Sequence, residues 1–134
     1  MKTVRSKYFL PFLLIGSTIL PGALDVLLYR NGAMDNLILF LPIVLGLSVL
    51  HYKFCPKAWQ FFCMQILMLL CSVIGGDWSA NLYYRNVSND ALTPVIGELR
   101  IILQAIIILC IAIAATMTKA LLNYRHKHSP EKKN

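Results

Sequence analysis

The stretch VIGELRIILQAIIILCIAIAATMTKALL, Val95 to Leu122, decides the fold. It holds the longest apolar run of the chain, Ile101 to Ala115, interrupted only by Gln104. As a helix it would rise about 42 Å, more than the roughly 30 Å hydrocarbon core of a bilayer. Thr93-Pro94 ahead of it offers an N-cap followed by proline at the first helical position. Lys119, Asn123, Tyr124 and Arg125 close it with residues suited to a membrane surface. This pattern predicts a transmembrane helix over residues 94–122.

Three further apolar stretches precede it, predicting spans at about 8–29, 35–52 and 58–76. The 134 residues are 57 % hydrophobic and 14 % charged, against about 25 % charged in soluble domains. Mean hydropathy is +0.62. A single all-α membrane domain over residues 1–134 is expected, with a basic cytoplasmic tail at 123–134 and no room for a separate soluble domain.

The formal net charge of +7 is compatible with nucleic acid, anionic lipid or membrane orientation. Position separates these. The bases group as Lys2, Arg5 and Lys7, then Lys53 and Lys57, then Lys119, Arg125, Lys127, Lys132 and Lys133, each group beside a helix end. That is the positive-inside pattern rather than a nucleic-acid face. It predicts both termini on the cytoplasmic side of the cell membrane, with the basic termini on anionic lipid. An even number of spans requires the same, and the short loops predict a four-helix up-down-up-down bundle.

Within the first span lie Gly16 and Pro21-Gly22. Cleavage as a signal peptide after Ala23 would put Pro21 where a small residue is expected, so an uncleaved span is predicted. The strictly apolar part of the second span, residues 37–50, is short at about 21 Å, and Pro42 within it predicts a kink. Trp59 and Trp78 flank the third span as interfacial aromatics, and residues 77–90 read as the outer loop.

Ionisable groups inside a span are costly and therefore informative. Asp25, Glu98 and Arg100 qualify. Asp25 and Arg100 fall at matching depths, about 6 and 9 Å inside the outer ends of spans one and four. Glu98 and Arg100 are two apart and point to different faces, so Asp25 is the better partner for Arg100. With Gln104 one turn deeper, these residues form a predicted intramembrane polar cluster of Asp25, Glu98, Arg100 and Gln104. It reads either as an interhelical clamp or as an ion or substrate site. Pro21, Gly22 and Pro42 are expected helix kinks, and Gln65 needs an interhelical hydrogen-bond partner. Ala105, Ala112 and Thr116 form a stripe permitting close helix approach, within the bundle or between protomers.

Cys55, Cys63, Cys71 and Cys110 have neither C-x-x-C nor zinc spacing, so free thiols are expected. His126-Lys127-His128 lacks the ligand count of a defined metal site. Neither a metal nor a cofactor is predicted. No phosphate loop, nucleophile elbow or H-E-x-x-H occurs, and the chain is not expected to be an enzyme. Two functions fit: an accessory, oligomeric or immunity-type membrane protein acting through helix contacts, with a copy of itself or a membrane protein as partner; or a small ion-coupled transporter or channel component using Asp25.

Overall fold

The computed structural model describes residues 2–31, 33–88 and 90–128, with side chains from residue 9 onward except at 33 and 34. Lys132 and Lys133 lie outside the described residues. Every regular element among those described is helical: α1 (Lys2–Ser17), α2 (Leu20–Leu27), a 3-10 turn (Tyr29–Asn31), α3 (Ala33–Phe54), α4 (Ala58–Asn86) and α5 (Leu92–His128). By length and composition α3, α4 and α5 could each cross a membrane, and α1 with α2 makes a fourth such segment if the bent pair counts as one.

The bend of 43° between Phe9–Ser17 and α2 has a local cause. Pro21 has no N–H to give the carbonyl of Ser17, four residues back. The backbone tightens there, with Thr18 donating to Ile15 O at 3.1 Å and Ile19 to Gly16 O at 3.2 Å, and Ala23 to Ile19 O at 3.0 Å restarts the helix. Thr18 Oγ1 donates to Ile15 O at 2.6 Å. The break thus falls at residues 18–19, upstream of the proline that causes it. Gly22 serves packing instead: a Cβ there would run into the backbone of Cys71 in α4. Helix α3 continues unbroken through Pro42, which sits on its exposed face.

Two helices outrun their predicted spans. Gly75-Gly76 does not end the third; α4 continues ten residues to Asn86, so residues 77–86 of the predicted outer loop are helical. The glycines are contact points rather than terminators. Gly75 lies against Gly22, Gly76 against Ile101 and Gln104, and a Cβ on Gly97 would stand 2.9 Å from Ala80 Cβ. Similarly, α5 begins at Leu92, ahead of the predicted cap, and runs six residues past Leu122 into the predicted tail. Pro94 is tolerated because first-turn N–H groups have no helical acceptor anyway. Helix α3, at 22 residues, gains the length its apolar centre lacks.

Each long helix buries one narrow stripe: Phe61, Gln65, Met68, Ser72 and Gly75 on α4, and Gly97, Arg100, Gln104, Ile108 and Ala112 on α5. Spacings of three and four put such residues on one helix face. The chain contacts run in opposite senses on α4 and α5, with Ala80 against Gly97 and Gly76 against Ile101. Apolar and polar layers alternate. Leu14, Cys55 and Phe61 pack at one end, and Phe40, Val44, Met68 and Ile108 at mid-length. Among the described residues eleven polar or charged side chains are buried against eight hydrophobic ones, while Phe12, Leu27, Ile38, Val49 and Met117 are two-thirds or more exposed. Polar groups inside and large apolar groups outside invert the arrangement of a water-soluble domain.

Candidate functional site

Asp25 comes from α2, the short helix that the Pro21 break turns toward α4. The close approach of Gly22 to Cys71 and Gly75 lets α2 lie backbone to backbone on α4. Three residues on, the Asp25 carboxylate meets α5, where Arg100 and Gln104 are one turn apart on the buried face. Arg100 Nη1 donates to Asp25 Oδ1 at 3.3 Å and Gln104 Nε2 to Asp25 Oδ2 at 3.4 Å. Arg100 Nη2 donates to the Gly76 carbonyl of α4 at 3.1 Å. Asp25, Arg100 and Gln104 are 4 %, 2 % and 1 % exposed. One guanidinium thereby ties three helices together. Glu98 is not among them; it is exposed, as two-residue spacing from Arg100 requires.

A second polar layer joins α1, α3 and α4. Ser17 Oγ donates to Leu14 O at 2.6 Å, which commits its proton. His51 Nε2, 2.8 Å from Ser17 Oγ, must then donate to that hydroxyl. His51 Nδ1 is left to accept from Gln65 Nε2 at 3.4 Å, and Gln65 Oε1 accepts from Ser48 Oγ at 3.1 Å. The whole series is satisfied by one neutral tautomer of a fully buried histidine. Gln65 thus has partners on α3. His51 itself, which the sequence places at a loop edge, was not legible as a core residue; the signal was its three-residue spacing from Ser48.

Lys119 does not face a membrane surface from the end of α5. It is 8 % exposed, donates to the Tyr52 carbonyl, and its Nζ lies 4.3 Å from the Tyr52 ring centroid. Beside it, in the turn after α3, burial pushes the Cys55 thiol up, and the Lys119 ammonium only partly opposes this. All four cysteines are free. The Ala112 side chain is fully buried within the bundle, while Ala105 and Thr116 are half-buried.

Two cavities flank the Asp25 layer. One of about 10 Å³, between Pro21, Leu24, Leu28 and Phe40, touches Asp25. The other, of about 270 Å³, opens between the ends of α3, α4 and α5 and reaches Arg100; Tyr29, Asp35, Asn36, Ser79 and Tyr83 also border it. Compared with known protein families, curated proteins and solved structures, the chain matches none.

Proposed function

We propose that this is a four-span protein of the cell membrane, with α1 and α2 forming one broken span. The bundle is up-down-up-down, and both termini are cytoplasmic. It acts non-catalytically through helix contacts, as an accessory, oligomeric or immunity-type protein. The observation that carries this reading is the Asp25–Arg100 pair: two charges neutralised within an apolar-faced bundle, each also hydrogen-bonded to a third group. Trp59 and Trp78, both exposed, are 19 residues apart on α4, about 29 Å along its axis, which matches the hydrocarbon thickness between two interfacial belts. The excess of Lys and Arg in the head, second loop and tail supports the orientation. It also favours contact of the basic ends with anionic lipid.

The alternative, ion-coupled transport through Asp25, needs water at that carboxylate. The space of about 10 Å³ beside it is at the lower limit for even one water. The two readings separate on Asp25→Asn in purified protein. A clamp leaves Arg100 buried and unpaired, so the variant loses helical packing and melts early. A transport site instead leaves a folded chain that no longer carries an ion flux in proteoliposomes.

A further inference from the structure

The hydrogen bonds of the second polar layer run one way, from Ser48 through Gln65 and His51 to Ser17 and the Leu14 carbonyl. Ser48, Gln65 and His51 are 5 %, 0 % and 0 % exposed. Water therefore cannot repair a mismatch among them, and each bond direction fixes the next. Ionisable groups near His51 are few. Lys53 and Lys57 are exposed, Cys55 closes the helix end, and Lys119 of α5 lies on the adjacent Tyr52. From α4 comes Gln65 and from α1 Ser17, neither of them charged. Of residues 9–17 only Leu14 is buried, so the Ser17 bond is the polar tie that holds this segment to α3.

A proton on His51 breaks this sequence at one point. Nδ1, the acceptor of Gln65 Nε2–H, then carries a hydrogen of its own, and two donors face each other at 3.4 Å. Turning the Gln65 amide over removes the conflict: Oε1 accepts from Nδ1–H, and Nε2 donates to Ser48 Oγ. Ser48 in turn gives its own proton to a carbonyl one turn back in α3, as helical serines do. Every donor stays paired, and the Nε2–H bond to Ser17 is kept and becomes charge-assisted. The layer thus has two complete bonding patterns that differ by one proton and one amide rotation. We propose that His51 and Gln65 form a proton-operated switch, in which protonation of the imidazole reverses the Gln65 amide, redirects Ser48 and strengthens the hold of α3 on α1.

The test is NMR of the full chain in lipid bicelles, with nitrogen-labelled histidine and glutamine, titrated from about pH 8 to about pH 4. The His51 signals are assigned by their loss in His51→Phe. At the alkaline end His51 should be the neutral tautomer protonated on Nε2. On acidification both ring nitrogens should become protonated. With the same midpoint, the cross-relaxation of the Gln65 side-chain N–H protons should pass from the His51 ring to Ser48. Gln65→Leu leaves Nδ1–H without an acceptor, so its midpoint should fall by about one pH unit, about a tenfold loss of proton affinity. Three results in the parent chain overturn the proposal: a neutral ring protonated on Nδ1, a ring still neutral at the acidic end or when the helical circular dichroism is lost, or a protonated ring with the Gln65 amide unturned. An unchanged midpoint in folded Gln65→Leu overturns it as well.

Discussion

Gly22 of α2 and Gly75 of α4 meet backbone to backbone, so closely that a Cβ on either would overlap the main chain of the other helix. This contact brings α2 onto α4 and sets the depth at which Asp25 meets Arg100. A main chain cannot rotate away as a side chain can, so overpacking here must shift a helix. Gly22→Ala and Gly75→Ala should each destabilise the bundle by about 1–3 kcal/mol. Gly46→Ala, with nothing within 4 Å of the new methyl, should be neutral or stabilising by up to about 1 kcal/mol. Detergent-denaturation curves followed by circular dichroism check the contrast. Equal behaviour of Gly75→Ala and Gly46→Ala would remove the contact from the account.

The His51 layer predicts a second asymmetry. His51→Phe keeps an aromatic ring but strands Gln65 Nε2 in the interior, and Ser17 loses its donor. A loss of about 1–3 kcal/mol is expected, as for an unsatisfied buried polar group. Replacing Gln65 by Leu in the same chain should recover part of that loss, because the orphaned amide is removed. If His51→Phe alone is as stable as the parent, the layer contributes nothing net.

Cys55 gives a pH-dependent observable in the turn between α3 and α4. Burial raises its thiol, so thiolate appears at higher pH than for an exposed cysteine, and maleimide labelling at neutral pH should be slow. In a chain retaining Cys55 alone, the rate should rise about tenfold per pH unit while the thiol stays mostly protonated. Lys119→Met removes the opposing charge and should slow labelling further at fixed pH. A faster reaction in that variant would contradict the placement of Lys119 beside the turn.

Arg100→Lys probes the fork. A lysine ammonium is a point charge that cannot hold Asp25 and the Gly76 carbonyl with the guanidinium's planar geometry. The expected cost is about 1–2 kcal/mol in a chain that still folds. Thermal melts in the same detergent check it. An unchanged melting point would mean that the Gly76 hydrogen bond carries no energy.

Much of this architecture was legible from composition and depth. Ile101–Ala115 could only be an apolar helix, and charge at matching depths pointed Asp25 toward Arg100. What misled was local chemistry overruled by packing. Gly75-Gly76 resembles a helix end, but α4 runs through it because those positions receive neighbouring helices. Lys119 resembles a surface anchor, but the Tyr52 carbonyl and ring satisfy its ammonium inside. Glu98 shares a helix with Arg100 yet faces outward. His51 and the cavity at Arg100 were not legible because both depend on which helix faces meet, and hydrophobic periodicity does not fix helix pairing.

The central claim is that Asp25 and Arg100 form a mutual clamp across the bundle. A double-mutant cycle tests it most directly, using Asp25→Asn, Arg100→Gln and the double variant, with unfolding free energies measured in lipid bicelles. Each single change strands the other charge and should cost about 3 kcal/mol or more. The double variant, with no charge left unpaired, should recover at least about 1.5 kcal/mol of the summed losses. Losses that simply add, or a fully stable Asp25→Asn chain, would contradict the clamp.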